Sequence, residues 1–498
     1  MDSEYGAFSS LKRVYFTGIK GTGMCAMAEL MHNSGIYVTG ADTSEVFYTD
    51  KILKEMGIPY FESFEASHIK NACPDLVIHS AAYQAESNPE LMEAAKLGIP
   101  VMKYADALGA YSEGFDSTGI AGVHGKTTTT ALAGTILKGL GIPAQILVGS
   151  AVNSFGGRST LHLGDKYFIA ETCEYRRHFL SFRPKRIILT SVESDHQDYF
   201  PEYSDIRDAF IEYGKLLPSG GELIYCADDK GAAEVALEIK KEKENIQLVP
   251  YGFSAEGGYS IEKFECVNER LILKLSSFPE ELKIRVPGNH TALNAAAAIA
   301  LASILVKKEF GDALSDGWNN ERRSGLKKAL EEFSGSRRRS EILGEAGGIL
   351  FMDDYGHHPT EINATLSGLK DFYPNRRLVI SFMSHTYTRT AALPDDFASS
   401  FKNADIIMLH KIYSSAREIY HGGVNGETLF KRTKEILGQS THFISEGDRI
   451  FYFDEPDDAE DFLINVLKKG DLFITMGAGN NWTLGKKLFN FYSEKEKQ

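Results

Sequence analysis

Short apolar runs recur along the chain, each followed by a stretch whose apolar residues return at helical spacing. That alternation predicts α/β layers built on parallel sheets. Val14–Thr17 predicts a first strand, followed by a glycine turn and a helix to about Asn33. Tyr37–Gly40, ending at Asp42, and Leu76–His79 read as further strands, and Tyr111–Gly114 as a linker. Beyond it a strand near Gly119–Ala121 meets a second glycine loop, and strands at Tyr167–Ala170 and Arg186–Thr190 follow. Between Gly252 and Val286 apolar positions alternate (Leu271, Leu273, Leu275), the mark of antiparallel sheet. An alanine-rich helix is expected from Ala292 to about Leu305. After the basic cluster Arg337-Arg338-Arg339 come strands at Ile349–Met352, Leu378–Phe382, Ile406–Leu409 and Leu472–Thr475. Asp353 to His358 reads as a loop, Thr360 to Phe372 as a helix with Ile362, Leu366 and Leu369 on one face, and Glu494–Gln498 as a frayed tail. The fold class is therefore α/β in three domains: 1–113, 114–334 and 335–498.

Composition narrows the picture. A chain of 498 residues exceeds one ordinary core, and 43% hydrophobic residues allow each domain its own. The net charge of -14 argues against general affinity for nucleic acid or acidic membranes, which depends on clustered Lys and Arg. Cys25, Cys73, Cys173, Cys226 and Cys266 are scattered without a C-x-x-C pair, as expected of reduced thiols. The N-terminus lacks an apolar leader, and no apolar run reaches the ~18 residues of a membrane span. A soluble, cytoplasmic protein is expected. Its oligomeric state stays open.

The strongest local signal is Gly122-Val123-His124-Gly125-Lys126-Thr127-Thr128 between a strand and a helix. Glycines let backbone N–H groups close on phosphate oxygens, the helix terminus adds positive potential, Lys126 reaches terminal phosphates and Thr127 can ligate Mg²⁺. The form is the short G-x-x-G-K-T, with Ile120 where the longer motif has glycine. ATP and Mg²⁺ are the cofactors this loop calls for. Glu171 and Asp195-His196 fall at the carboxyl ends of strands, where ligands bind in open α/β sheets. A carboxylate and an imidazole there suit divalent ions that neutralise a transferring phosphoryl group.

Two other readings stand beside this one. Gly18-x-x-Gly21-x-Gly23, with Asp42 some twenty residues on, describes a dinucleotide site as readily as a UDP site, so an NAD(P)-dependent dehydrogenase remains an alternative. His357 and His358 together with His385 could be read as a zinc site, although adjacent histidines rarely aim at one metal.

Across nearly the whole chain the motifs resemble the muramyl ligase family. They are Gly18–Met24, Gly122–Thr128, Glu193-Ser194-Asp195-His196, Gly288-Asn289-His290 with Asn294, Asp353–Glu361, His385–Thr390 and Met476–Gly479. The resemblance implies a Rossmann-like UDP-sugar domain, a central ATPase domain and a Rossmann-like C-terminal domain that closes over ATP and amino acid. It implies an ATP-dependent ligase that activates the carboxylate of UDP-N-acetylmuramate as an acyl phosphate and joins it to L-alanine, for peptidoglycan synthesis. A relative adding a peptide or another amino acid is the alternative within the family. By the same resemblance Lys126 contacts phosphates within the ATP-binding loop Gly122, Val123, His124, Gly125, Lys126, Thr127 and Thr128. Thr127, Glu171 and His196 serve magnesium, and Asn294 and Asp354 hold ATP. Tyr355, His357, His385 and Arg389 receive the amine, and Gly21, Gly23, Asp42 and Ser80 face the UDP-sugar. Lys126, Glu171 and His196 form the expected catalytic group. The chain departs from the family pattern at Thr172–Arg177, at Thr386 in place of arginine, and at Ser340 in place of an aromatic.

Overall fold

The computed structural model describes residue 8 and residues 10–267, 270–312, 315–414, 418, 422–438 and 448–497. Most of the N-terminal segment read for a leader, and Gln498 of the expected tail, lie outside these residues.

The apolar runs become buried strands. The N-terminal sheet has five parallel strands in the order Tyr60–Phe61, Tyr37–Ala41, Arg13–Thr17, Leu76–His79, Val101–Lys103. Strand order reverses at Arg13–Thr17, so the glycine turn after it opens at the switch point where such sheets bind ligands. The central sheet runs Gln247–Tyr251, Glu222–Cys226, Arg186–Leu189, Asp116–Ala121, Tyr167–Glu171, Ala144–Val152, Arg158–His162. Only its last pair is antiparallel. Asp116–Ala121, which feeds the phosphate loop, lies between the two strands that carry Glu171 and lead to His196. The expected antiparallel unit is present as Ile261–Val267, Arg270–Leu275 and Leu282–Ile284. The C-terminal sheet has six strands, of which only the edge strand Glu341–Ala346 is antiparallel. Its central strand Asp471–Gly477 is buried throughout, as a parallel strand covered on both faces must be.

Helix Asn289–Phe310 is long and apolar enough to cross a membrane, but 72% of its apolar window is buried inside the protein. Its run Ala295–Ala298 is fully buried, and it packs on the phosphate-loop helix Lys126–Leu140. Small side chains allow that close approach. Helix Asn320–Glu332 also packs closely on the same helix, where a Cβ on Gly325 would lie 2.6 Å from Gly139 O.

Several expectations need correction. Tyr111 and Ser112 end the helix Tyr104–Ser112 and are buried, so the joint at Tyr111–Gly114 is docked structure rather than a free linker. Glu171 closes its strand instead of following it. Asp353 and Asp354 belong to the strand Ile349–Asp354, because strand Asp471–Gly477 pairs with both. Glu494–Lys497 continue the last helix, Trp482–Lys497, and are not frayed. All five cysteines are unpaired.

Candidate active site

The phosphate loop turns on two glycines with φ of +139° (Gly122) and +84° (Gly125), values that L side chains rarely adopt. Space forbids a side chain at either position too. A Cβ on Gly125 would lie 2.6 Å from Asn294 Oδ1, and one on Gly122 2.1 Å from Thr190 Oγ1. Val123 N donates to Ser191 O (3.0 Å) and His124 N to Ser191 Oγ (2.9 Å), which tie the loop to the neighbouring strand end. Gly125 then caps the helix Lys126–Leu140.

Lys126 curls back over the loop to Val123 O (3.2 Å) and pairs with Glu174 Oε2 at 2.9 Å. The other oxygen of Glu174 meets His196 Nε2 at 3.2 Å. One buried carboxylate therefore joins the lysine and the histidine. Beside it Thr127 Oγ1 donates to Glu171 Oε1 (3.0 Å), while Glu171 Oε2 accepts from Gly149 N (2.8 Å). Lys126, Thr127, Glu171 and His196 thus come together. Burial alone would raise the Glu174 carboxyl, but Lys126 and His196 outweigh it and hold it below the usual carboxylate range. Glu174 was missed in the sequence. The available signal was its position three residues beyond Glu171, within the string Thr172–Arg177. That string also bends sharply, with Arg176 and Arg177 both left-handed (φ +52° and +58°).

Asn294, Asp354, His124, Gly125 and Thr128 line one cavity together with Asp228, Tyr251 and His290. Asn294 Oδ1 accepts from Thr129 Oγ1 (3.1 Å). Asp354 accepts from Ser340 N (2.6 Å) and Gly356 N (2.7 Å), so Ser340 supports it through the backbone. Burial pushes the Asp354 carboxyl up to about 6 despite Arg339. Among the described residues His290 Nδ1 is buried without a hydrogen-bond partner, leaving a polar atom for a ligand to satisfy. The glycine cradle, the lysine over it and this orphaned nitrogen fit a nucleoside triphosphate, and the Thr127–Glu171 pair fits a hard cation.

A charged string crosses this cavity between domains. His124 lies 2.6 Å from Glu193 Oε1 and 3.1 Å from Glu361 Oε1, and Glu361 also pairs with Arg339 (3.0 Å) and accepts from His357 N (3.1 Å). Burial would lower the His124 pKa, but Glu361 and Glu193 raise it to about 10, so the imidazole is cationic at neutral pH.

The four expected amine-site residues also meet. Tyr355 and His357 ring centroids are 4.9 Å apart, and His357 and His385 5.4 Å. Burial lowers His357 to about 3 and His385 to about 4, so both are neutral. His357 Nδ1 donates to Tyr355 O (2.9 Å), which leaves Nε2 as the acceptor nitrogen. Arg389 donates twice to Asp195 Oδ1 (3.1 and 2.7 Å) across the domain boundary, and its Nη1 is buried with no partner among the described residues. Thr386 (φ +68°) caps the helix Tyr387–Ala392. The zinc grouping is not formed. His358 turns to His124 (4.9 Å between rings), away from the His357–His385 pair. Among the described residues, the histidines and carboxylates that gather ligand atoms within 4.8 Å are instead His124, Glu193 and His358.

The N-terminal glycine turn is arranged differently. Asp42 accepts from Lys20 N (2.7 Å), Thr43 N (2.8 Å) and Tyr83 OH (3.1 Å) and so closes the turn from within. Ser80 accepts from Ala82 N (3.3 Å). Gly23 gives way to Tyr104, 2.9 Å from where a Cβ would stand, whereas Gly21 has room. None of Gly21, Gly23, Asp42 and Ser80 lines the neighbouring cleft, which runs from Thr22 and Tyr48 to Thr127 and Glu171.

Comparison with known proteins shows what the whole chain is similar to. Residues 13–116 match the catalytic domain of the Mur ligase family, 120–302 the Mur ligase middle domain and 338–479 the Mur ligase glutamate ligase domain. The UDP-N-acetylmuramate–L-alanine ligase of Treponema pallidum (strain Nichols) is 49% identical over 483 residues, 97% of each chain. That of Borreliella afzelii (strain PKo) is 37% identical over 479 residues, 96% of this chain and 98% of the relative. The crystal structure of UDP-N-acetylmuramate-alanine ligase from Thermotoga maritima superposes with a TM-score of 0.72 at 24% identity, covering 97% of this chain and 100% of that one. A murein peptide ligase from Psychrobacter arcticus gives a TM-score of 0.63 at 22% identity, covering 97% and 99%.

Proposed function

The chain belongs to the Mur ligase family, and from that premise we propose that it joins L-alanine to the carboxylate of UDP-N-acetylmuramate, using ATP. The similarity to alanine-adding relatives over 97% of the chain carries the choice of substrates. The joining of Lys126 and His196 through Glu174, and the pairing of Arg389 with Asp195 beside that histidine, support the chemistry.

A free carboxylate resists attack because its leaving group would be oxide. Its oxygen takes the γ-phosphoryl group as ADP leaves, giving an acyl phosphate. The amine nitrogen then forms the amide bond as the C–O bond to phosphate breaks. Most of the catalysis is placement and charge stabilisation. Mg²⁺ held by Thr127, Glu171 and His196 would supply charge neutralisation at the phosphates. Lys126 exchanges Glu174 for the terminal phosphates, and Arg389 exchanges Asp195 for the carboxylate of the incoming amino acid, as a charge-assisted fork. Neutral His357, with Nε2 free to accept, takes a hydrogen bond from the amine and orients its nitrogen toward the acyl carbon, and the amine's proton leaves on the departing phosphate. Residues 1–113 hold the sugar nucleotide, 114–334 the ATP, and 335–498 the amino acid.

Coupled ADP- and phosphate-release assays test the reading. UDP-N-acetylmuramate with ATP should turn over with L-alanine in preference to glycine, L-serine or L-Ala-γ-D-Glu-meso-diaminopimelate. Preference for the tripeptide would make the protein a peptide-adding ligase. ADP formation independent of any amine would remove the ligase reading.

A further inference from the structure

The cleft between the glycine turn and Thr127–Glu171 has a third wall, supplied by the C-terminal domain: Arg337, Trp482 and Lys486. None of the three figures in the chemistry above. Arg337 is fixed by its backbone, because its N–H donates to Ala151 O (2.8 Å) and its carbonyl accepts from Ser150 Oγ (3.0 Å). An isolated bridge between Val152 and Ser336 continues that seam. The guanidinium is thereby held over the Tyr48 ring (5.1 Å) and near the Trp482 ring (6.0 Å), and Lys486 Nζ sits 4.5 Å over the same indole.

The charges do not balance in this cleft. Its carboxylates are Glu171, Glu341 and Asp353, and each is engaged elsewhere. Glu171 accepts from Thr127 and Gly149, Glu341 from Arg338 N (3.0 Å), and Asp353 pairs with the Arg338 guanidinium (3.1 Å). Arg339 is taken by Glu361. Among the described residues Arg337 and Lys486 are left with aromatic faces and no carboxylate. Cations ordered on rings beside a helix N-terminus (Gly21 caps Thr22–Asn33) suit an anion of more than one charge.

We infer that Arg337, Trp482 and Lys486 form a clamp from the C-terminal domain on the acid substrate, with the two cations on the diphosphate and the indole face packed on the sugar. This rests on the substrate proposed above. The clamp makes domain closure depend on the sugar nucleotide as well as on ATP. It also explains why a C-terminal helix reaches a cleft whose other end is the N-terminal glycine turn.

The test compares R337Q, K486Q and W482A with the unaltered enzyme in steady state, varying one substrate at a time. R337Q keeps the backbone seam, and Lys486 is exposed, so neither change threatens the fold. The KM for UDP-N-acetylmuramate should rise about ten-fold in each charge variant, the worth of one charge-assisted contact. KM for ATP and alanine should stay within two-fold and kcat within three-fold. Inhibition by UDP alone should weaken in parallel in R337Q and K486Q. Unchanged KM for the sugar nucleotide in both charge variants would overturn the clamp. An unchanged UDP inhibition constant would overturn its assignment to the diphosphate. An unaltered enzyme that fails to turn over UDP-N-acetylmuramate with any amine would instead remove the reading beneath it.

Discussion

The chain uses strand–glycine turn–helix twice, and the two versions end differently. After Arg13–Thr17 the turn is filled by its own residues. Asp42 takes the backbone donors, and buried Lys20 runs inward to Thr43 O (2.9 Å), Glu45 O (3.0 Å) and Asp50 (3.1 Å). After Asp116–Ala121 the loop stays open. Lys126 lies over it on a single carboxylate, and cavities on either side are lined by Thr128 and by Thr127. A lysine in a glycine turn is therefore no guide to phosphate binding by itself; what matters is whether its partners are structural or exchangeable. Asp42, spent on the turn, is also unavailable for the ribose contact that a dehydrogenase would require.

The largest effect should separate the two lysines. Lys126→Ala should abolish turnover, by 10³-fold or more on the scale of lost phosphate stabilisation, while circular dichroism stays unchanged. Lys20→Ala should cost about 3 kcal/mol of stability, because it strands Asp50, with turnover per folded molecule largely kept. Urea titration alongside rate measurement reads both, and a Lys126 variant that still turns over would end the comparison. Glu174→Gln removes the charge shared by Lys126 and His196 and should lower kcat some ten- to hundred-fold. An unchanged kcat would reduce Glu174 to a passive neighbour.

A pH experiment sharpens the open loop further. His124 is raised to about 10 in the folded chain, so its ion pairs contribute stability that is full below the unfolded value near 6.5. That contribution is lost as pH rises toward 10. The unaltered protein should exceed His124→Gln in urea midpoint at pH 6.5, and the gap should narrow by pH 10. A constant gap would show that the contribution is packing rather than charge. The smallest effects separate the glycines. Gly125→Ala forces a Cβ against Asn294 at positive φ and should raise the KM for ATP. Gly21→Ala meets nothing closer than 3.5 Å and should shift stability by less than about 0.5 kcal/mol.

Much of the fold was legible because burial leaves a periodic trace. Leu76–His79 and Ile406–Leu409 read as strands at their observed limits, and the antiparallel unit after Gly252 showed in its alternation. The strand Ala144–Val152 was not recognised, since its glycine and serine dilute the apolar run. It was still needed, because its end holds Gly149 against Glu171 and Ala151 against Arg337. At the site, Lys126 and Thr127 were legible from motif chemistry, and Asn294 only through the family resemblance. Glu174 was not, because a carboxylate in an irregular turn gives no periodic signal.

The sequence alone determined where a glycine loop opens onto a helix at Lys126-Thr127, since glycine turns, a helix terminus and an adjacent Lys-Thr are local properties of a few neighbouring residues. It also indicated three α/β domains, through the spacing of apolar residues. Which charge faces which was decided only in three dimensions. Arg389 finds Asp195, His124 finds Glu361, and among the described residues Arg337 finds no carboxylate, because separate domains bring these groups together. Coulomb and desolvation energies depend on distances through space and on burial, and neither is written in the order of residues along the chain.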